Sequence, residues 1–196
     1  IASAERGARG VVLLEGGDRP ARKILISGNG RCNLTNLDAD QPGHYHSAQP
    51  RFARPALRAH PVEKTLGFFH DLGVVTRVEK RGRLFPVSDQ AQSIIDLLVD
   101  RLQMLNVQLE LSARVEALSA REGGGFDVRC TDGRAWQADS VIVATGGLSV
   151  PKLGANDSGM CMCEEFGHQR TALYPGLVPL ESEDPHVRRM AGVRVW

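Results

Sequence analysis

The stretch KILISGNGRCNLTN, from Lys23 to Asn36, combines two closely spaced glycines with an arginine, a cysteine and three asparagines. Neither a core strand nor a surface helix requires this mixture. Gly28 and Gly30 let the backbone approach a flat ring or a phosphate closely, because glycine has no Cβ. Arg31 can supply a cation, and Asn33 can supply amide donors and acceptors. The stretch predicts a ligand-contacting loop, although a glycine-rich surface turn explains it equally well without other context.

The letters GNGRCN also imitate the GxGxxG fingerprint of dinucleotide-binding βαβ units, with Asn33 in place of the third glycine. A true fingerprint lies between the first strand and the first helix of the unit, and an acidic residue follows it about 20 residues later. Here the acidic candidate, Glu15, precedes the loop. We therefore interpret the loop as a second contact region and not as the fingerprint.

That acidic candidate ends an apolar run, Val11–Leu14, and is followed by two glycines. An apolar run without alternation is typical of a strand buried on both faces of a parallel sheet. A carboxylate at the end of such a strand can accept hydrogen bonds from ribose hydroxyls. An exposed glutamate at a strand end is the better explanation when Glu15 is considered alone. A fingerprint about 20 residues upstream would lie before Ile1.

A second apolar run, VIVATGG (Val141–Gly147), also reads as a buried strand, and it ends in small residues. Ligands of open α/β sheets bind outside the carboxyl ends of the strands. Small residues there leave room for a ligand to pass over the backbone. A tight turn after a core strand is the alternative, and it is common for an isolated glycine pair.

Between these runs the pattern predicts two helices within 51–72, a short strand at 74–78 and a longer helix that Ser88 caps. Ile94, Ile95, Leu98, Leu102 and Leu105 would form the buried face of that helix. The stretch from 107 to 139 predicts one more strand and then three antiparallel strands, with turns at 123–125 and 132–133. A last helix would end at Gly167.

Composition limits the function classes. Lys and Arg number 24 against 23 for Asp and Glu, which argues against a protein that coats a polyanion. No apolar run approaches the length of a membrane span. The four cysteines have neither zinc-site nor disulfide spacing, so we expect free thiols and a cytoplasmic location. His44 and His46 lack a third ligand, and we predict no metal site.

The segments LLEGGDRPARKILISGNGRCNLTN (13–36), GRLFPVSDQAQSIIDLL (82–98) and VIVATGGLSVPKLGA (141–155), with EEFGH (164–168) and GLVPL (176–180), resemble one family of flavoproteins. It is the BaiN-like family, also called aminoacetone-oxidase-like FAD-binding proteins, among the two-dinucleotide-binding-domain flavoproteins. The segments follow family order and spacing across nearly the whole chain. The SGNGRCNLTN run is highly specific, whereas ATGG alone would be weak.

The resemblance implies FAD binding. Glu15 would bind the adenosine ribose, and Val115 would meet adenine through its backbone. The groups along the flavin or its phosphates would be Lys23, Gly28, Asn29, Gly30, Arg31, Cys32, Asn33 and Thr35. The residues near the pyrophosphate and the ribityl chain would be Ala144, Thr145, Gly146 and Gly147. One departure is Asp157-Ser158-Gly159, where the family often has Gly-Asp-Gly.

The fold class that we expect is α/β, a partial Rossmann-like FAD-binding domain with a parallel sheet and a three-stranded antiparallel β-meander. Residues 1–180 would form this incomplete domain, whose first strand and GxGxxG are missing. Residues 181–196 would begin an inserted substrate-side domain. We expect this fragment alone to bind FAD weakly or not at all, because the helix N-terminus that holds the pyrophosphate would be absent.

The function implied by the resemblance is an FAD-dependent oxidoreductase in which hydride passes through the flavin N5, with NAD(P)H as the possible reductant. Reduction of a conjugated carbon–carbon double bond is implied, with a steroid-like or RNA-uracil substrate. No catalytic residue is assigned, and neither a membrane nor DNA is an expected partner. The alternative is an RNA-associated flavoprotein or a non-catalytic nucleotide-fold protein. Its support is the basic stretch 77–83, which could contact RNA or a nicotinamide phosphate, although a solvated hairpin explains the stretch better.

Overall fold

The computed structural model describes residues 1–47, 49, 51–176 and 182–190. Its helices are α1 (Ala2–Glu5), α2 (Arg22–Ile26), α3 (Arg54–Ala59), α4 (Val62–Asp71), α5 (Ala91–Met104), α6 (Ser158–Glu165) and α7 (Pro185–Arg189). Its strands are β1 (Val12–Leu14), β2 (Thr35–Asn36), β3 (Thr76–Val78), β4 (Arg83–Pro86), β5 (Gln108–Glu110), β6 (Val115–Ala120), β7 (Phe126–Cys130) and β8 (Ala135–Ala138). The mixture of helices with parallel and antiparallel strands confirms the predicted α/β class.

The parallel pairing joins β1 to β5, with Leu13 opposite Leu109. Two backbone hydrogen bonds continue this pairing past the strand, from the Glu15 N–H to the Glu110 carbonyl and from the Ala113 N–H to the Glu15 carbonyl, both at 2.8 Å. The prediction of a parallel sheet is therefore confirmed. The prediction that β1 is buried on both faces is wrong, because Leu13 is 41% exposed. Within the described residues β1 pairs on one side only.

Helix α5 packs beside α2 and buries Ile94, Ile95 and Leu102, as its apolar spacing predicts. Its start differs from the prediction. Gln90 occupies the N-cap position, and the Ser88 hydroxyl instead shares a 2.9 Å hydrogen bond with Ser93. Asp89 adopts a left-handed backbone with φ 52°, which keeps the chain out of the helix until after Gln90.

A second sheet has the strand order β2-β4-β3 and is antiparallel throughout. Its central strand β4 carries Leu84 and Phe85, which are 2% and 1% exposed. The stretch that leads into β2 and includes it is the glycine loop, defined as residues 27–36. The Leu34 N–H donates to the Leu84 carbonyl (2.9 Å), so β4 holds the end of this loop.

The three strands β6, β7 and β8 form the predicted meander. Gly123, Gly124 and Gly125 lie in its first turn and Gly133 in its second, all with positive φ. A bulge shifts the register between Val115 and Ala117. The prediction of glycine turns at both places is therefore confirmed.

The second apolar run, 141–147, which we call the ATGG segment, forms no strand. Ile142 is 77% exposed and Val143 is 39% exposed, so the prediction of a buried strand is wrong. A strand exists only where a neighbouring strand satisfies its backbone groups, and no described strand pairs with this segment. The apolar pattern indicates a preference for burial, but it does not show whether a neighbouring strand is present to pair with the segment.

None of the helices in the described part of the chain has the length and apolar character required to cross a membrane. The predicted boundary between a first domain and an inserted domain, at residues 180 and 181, lies outside the described residues, as does most of the GLVPL motif.

Candidate functional site

The glycine loop begins with a tight turn at 27–30 and has an unusual backbone. Gly28, Asn29, Gly30 and Cys32 all have positive φ, between 57° and 82°. For Asn29 and Cys32 this conformation is unfavourable by about 1 kcal/mol each, because the Cβ crowds the following carbonyl. Contacts with the rest of the molecule must therefore hold the loop in this shape.

Phe85 is one of those contacts. A Cβ on Gly28 would lie 2.5 Å from Phe85 Cε1 and 2.8 Å from the Asn33 nitrogen. For a Cβ on Gly30 the nearest contact among the described residues is the Leu25 carbonyl oxygen, at 3.7 Å. The two glycines therefore differ, since only Gly28 is required by packing as well as by its backbone conformation.

Arg31 faces the second sheet and is already paired. Its guanidinium donates to Glu79 at 2.7 and 3.3 Å, and its Cζ lies 4.1 Å from the centroid of the Phe85 ring. Asp89 lies 3.5 Å from Arg31 Nη1. The predicted free cation of the loop is therefore a partner of two carboxylates and an aromatic face.

Arg77 completes this arrangement, which we call the Arg31 network (Arg31, Arg77, Glu79 and Asp89). Arg77 Nη2 donates to Glu79 at 3.0 Å and to both Asp89 oxygens, at 2.7 and 2.6 Å. The hydrogen bonds from Arg31 and then Arg77 lower the pKa of Glu79, and the hydrogen bond to Glu79 raises the pKa of Arg31. The pKa of Arg77 is raised, first by its hydrogen bond to Asp89.

Cys32 lies inside the core. It is 4% exposed and clusters with Val74, Ala91 and Ile94. Burial raises the pKa of its thiol, and a hydrogen bond with Ser27 partly opposes that rise. A raised pKa leaves Cys32 protonated at neutral pH, so the geometry favours a packing role over a reactive thiolate.

Asn33 and Thr35 are held by β4. With its amide turned so that the nitrogen faces its two carbonyl neighbours, Asn33 can donate to the Thr35 carbonyl at 3.1 Å and to the Leu84 carbonyl at 3.2 Å. Thr35 pairs with Leu84 in the antiparallel ladder. Both polar residues therefore support the loop from its carboxyl end.

Glu15 follows β1, as predicted, and its carboxylate is the acceptor of a local hydrogen bond. The Gly17 N–H donates to Glu15 Oε1 at 2.7 Å. The residue is half-buried, and one carboxylate oxygen of Glu15 has no partner among the described side chains. A carboxylate held in this way can accept hydrogen bonds from hydroxyl groups.

Lys23 connects the two candidate regions. Its Nζ lies 3.4 Å from the Gly147 carbonyl oxygen, and a Cβ on Gly146 would lie 3.7 Å from the same nitrogen. Lys23 thus places a positive charge beside the glycines of the ATGG segment. The contact spans 124 positions in the sequence.

Helix α6 fixes the middle of the ATGG segment. A Cβ on Gly159 would collide with the Thr145 hydroxyl and would lie 2.9 Å from both Thr145 Cγ2 and Val143 Cγ1. The segment approaches the start of α6 more closely than any side chain would allow. The sequence pattern identified Gly159 only as a departure from the family, and its steric role was missed.

Val115, the predicted adenine contact, lies at the meander bulge opposite Cys130. Its side chain packs with Leu14 and Val141 against the buried cluster of Leu118, Val128 and Met162. Leu14 precedes Glu15, and Val141 begins the ATGG segment. This cluster therefore brings together the ends of β1, β6 and the segment.

The structure joins the predicted residues in two groups. The first group contains Glu15, Val115, Lys23 and Ala144–Gly147. Leu14, Val115 and Val141 pack against one cluster, and Lys23 contacts Gly147. The glycine loop packs instead against β4 and α5, and α2 lies between it and the first group. Glu79, Asp89 and Phe85 were missed. The alternation Arg77-Val78-Glu79 was the available signal, and it was interpreted as a solvated hairpin.

The first group contains a carboxylate, an ammonium and a small-residue backbone, which are the kinds of group that bind the ribose and phosphates of a dinucleotide. Gly146 has φ 76°, and the end of Lys23, 3.7 Å from the place of a Cβ, is the described group nearest to that place, so the backbone there can lie close to a ligand. The donor set therefore fits FAD. Among the described residues no group of three or more His, Cys, Asp or Glu side chains could hold a metal ion.

Comparison with known proteins identifies the relatives of this arrangement. The family model described as the HI0933-like protein Rossmann domain matches residues 1–192. The 3-dehydro-bile acid delta(4,6)-reductase of Clostridium scindens is 38% identical over 193 residues, which cover 98% of this chain and 46% of the relative.

Two further relatives share one name, ribosomal RNA dihydrouridine synthase. The protein from Escherichia coli is 36% identical and that from Haemophilus influenzae is 30% identical, over 99% and 94% of this chain. The matches cover 48% and 47% of those proteins. The chain thus spans about half the length of the curated relatives it matches.

Proposed function

This chain belongs to the HI0933-like Rossmann-domain family, and from that membership we propose that its protein is an FAD-dependent oxidoreductase that reduces a carbon–carbon double bond conjugated to a carbonyl group. NAD(P)H is the reductant in this proposal. The cytoplasm is the proposed location, because all four cysteines are free thiols.

One observation carries the proposal, namely the chemistry that two differently named relatives share. A 3-dehydro-bile acid delta(4,6)-reductase acts on double bonds conjugated to a ketone, and a dihydrouridine synthase saturates the uracil double bond that is conjugated to a carbonyl. A double bond of either kind is polarised by its carbonyl group and can accept hydride at the carbon far from that group. A common fold that positions a hydride carrier explains why relatives of one family act on such different substrates.

The residues of this chain would bind and orient the cofactor. The Glu15 carboxylate would accept hydrogen bonds from the ribose hydroxyls, and the Lys23 ammonium would offset phosphate charge. The Ala144–Gly147 backbone would let the pyrophosphate and ribityl chain pass closely, and Val115 would meet adenine through its backbone. When bound, the flavin supplies hydride transfer at N5.

RNA uracil is the second candidate substrate, and one surface favours it. Lys80 and Arg81, at the exposed tip between β3 and β4, and the neighbouring Arg83 have no carboxylate partner in the described part of the chain. Arg77, on the same hairpin, is neutralised by Glu79 and Asp89. A cluster of unneutralised cations is the kind of surface that contacts a phosphate backbone.

The experiment uses the full-length protein that contains this chain. It should purify yellow, and anaerobic NADH or NADPH should bleach the flavin absorbance. A 3-oxo-4,6-diene steroid and a uridine-containing ribosomal RNA fragment are then added separately, and the one that restores the oxidised spectrum identifies the substrate class. A full-length protein that is colourless and takes up no added FAD would overturn the proposal.

A matched variant tests the first group of residues. Glu15→Gln keeps the size of the side chain and removes its charge, and it should weaken FAD binding about tenfold, because hydrogen bonds to a charged acceptor are roughly twice as strong as neutral ones. Glu116→Gln, on the exposed face of the meander, is the control and should leave FAD binding unchanged. Equal affinity in both variants would remove Glu15 from the site.

A further inference from the structure

Arg31 is the one cationic residue in the sequence of the glycine loop, and its charge is already balanced. The Arg31 network contains two guanidinium groups and two carboxylates, so its formal charge is zero. Each carboxylate contacts both arginines, at distances from 2.6 to 3.5 Å. A phosphate that approached Arg31 would have to compete with Glu79 and would meet the repulsion of both acids.

The network also has a mechanical consequence. Arg31 lies between Gly30 and Cys32, which have φ values of 82° and 62°. Its guanidinium is fixed by two hydrogen bonds to Glu79 and by the face of Phe85, the same ring that packs against Gly28. Glu79 and Phe85 lie on a hairpin that contributes no residue to the predicted cofactor contacts. The hairpin therefore contacts the loop at Gly28 and at Arg31, beside the two strained residues Asn29 and Cys32.

We propose that Arg31 is a positioning residue and not a phosphate ligand, and that Glu79 and Asp89 are the groups through which it holds the glycine loop in its left-handed conformation. This inference rests on the proposed flavin site, because the loop is the part of that site that would contact the flavin. Glu79, which was not predicted as a site residue from the sequence, becomes a determinant of cofactor binding.

The two roles of Arg31 predict opposite effects of the same substitution. If Arg31 binds a phosphate, Glu79→Gln removes a competing charge, and FAD should bind as tightly as before or more tightly. If Arg31 is a positioning residue, Glu79→Gln loosens the loop, and FAD should bind about tenfold more weakly, as expected when a charge-assisted, bidentate pair is lost.

Arg31→Lys separates the roles independently. Lysine keeps the positive charge and is a competent phosphate ligand, but it cannot form the planar fork with Glu79 or the same stack on Phe85. A positioning role predicts that Arg31→Lys weakens FAD binding about as much as Glu79→Gln does. A phosphate-ligand role predicts that most of the affinity is retained.

The test uses the full-length protein freed of flavin, with FAD affinity measured by quenching of flavin fluorescence. Glu116→Gln is the control, since Glu116 pairs with Arg129 at 2.8 Å on the exposed meander. Hydrogen exchange of the 27–33 backbone amides is measured in parallel without flavin. We expect faster exchange in Glu79→Gln and Arg31→Lys, unchanged exchange in the control, and a changed visible spectrum of the bound flavin in the two network variants.

The outcomes distinguish this inference from the proposed function. Unchanged or tighter FAD binding in Glu79→Gln, or retained affinity in Arg31→Lys, would overturn the positioning role while leaving the flavoprotein proposal intact. A wild-type protein that binds no FAD, but whose loop amides exchange faster in Glu79→Gln, would overturn the flavin proposal and support the role of the network in holding the loop. Unchanged exchange in both variants would overturn the positioning role whatever the flavin result.

Discussion

The glycine loop and the ATGG segment have similar sequence features, but they differ in how the rest of the protein packs against them. Both are rich in small residues, and both were interpreted as backbone that lies close to a ligand. The loop contains a core residue, Cys32, and has partners for Arg31 and Asn33. The segment has no strand partner in the described residues, and Ile142 is 77% exposed.

The difference shows that glycine has two uses in one site. At Gly28 it makes room for the protein itself, because Phe85 occupies the space of a side chain. At Gly146 the end of Lys23 is the one group of the described residues within 4 Å of that space. Only the second kind of glycine leaves room that a ligand could use. A loop can therefore be specific in sequence because of its internal packing.

The largest expected effect is that of Gly28→Ala. The added methyl group would lie 2.5 Å from Phe85 Cε1 and 2.8 Å from the Asn33 backbone nitrogen, and φ is 57°. Overpacking and left-handed strain together should lower the free energy of unfolding by about 2–4 kcal/mol. The midpoint of urea unfolding measures this change.

Gly30→Ala is the matched control in the same loop. It has the same kind of φ, at 82°, but its nearest contact is at 3.7 Å. Only the backbone strain remains, so the free energy of unfolding should fall by about 1–2 kcal/mol. Equal losses in the two variants would mean that Phe85 does not close the space beside Gly28, and the contrast between the two kinds of glycine would fail.

The next effect is that of Gly159→Ala, which acts on the ATGG segment. The methyl group would displace Thr145 and Val143 from the start of α6. Because no described strand pairs with the segment, we expect the segment to move away locally. The free energy of unfolding should fall by about 1–2 kcal/mol. Hydrogen exchange of residues 141–147 should increase, while exchange in the glycine loop should not.

Gly67→Ala provides the control, since a Cβ on this α4 glycine would meet no atom of another described residue within 4 Å. It should stabilise the protein by about 0.5–1 kcal/mol through helix propensity. A Gly159→Ala protein that unfolds as early as Gly28→Ala, with faster exchange everywhere, would show that the ATGG segment is as integrated as the loop.

The smallest effect is the pH dependence contributed by the Arg31 network. Hydrogen bonds from Arg31 and Arg77 lower the pKa of Glu79, so the folded protein keeps this carboxylate ionised to lower pH than the unfolded chain does. The stabilisation is fully present above the ordinary glutamate pKa of about 4.3, and it is lost as pH falls through the lowered value. The charged groups that face Glu79 are Arg31 in the loop and Arg77 on β3, and Asp89 shares both of these partners.

The measurement compares the wild-type protein with Glu79→Gln by urea unfolding at neutral pH and at successively lower pH. The wild type should be the more stable at neutral pH, and its advantage should shrink as the medium becomes more acidic than the ordinary glutamate pKa. Glu116→Gln serves as the control for an exposed ion pair. An advantage for the wild type that is constant over the whole range would contradict the assigned cause of the pKa shift.

Much of the fold could be predicted from the sequence, because its elements depend on local pattern. The 3.6-residue spacing of Ile94, Leu98 and Leu102 defines α5, and the glycine turns define the meander. The failures are boundaries and partners. Ser88 is not the N-cap of α5, because Asp89 adopts a left-handed backbone and pairs with Arg77. Residues 141–147 form no strand, because a strand requires a neighbouring strand and no described strand pairs with them.

By itself the sequence determined the fold class and the family, and it predicted the segments for cofactor contact, because spacing and residue type are properties of the chain alone. The tertiary structure decided which of those residues are available to a ligand. From the sequence, Arg31 and Cys32 resemble ligand-binding residues. In the structure Arg31 contacts Glu79 and Phe85, and Cys32 packs in the core beside Ile94. Lys23 meets Gly147 only in the folded molecule, because contacts across 124 positions are set by packing and not by local pattern.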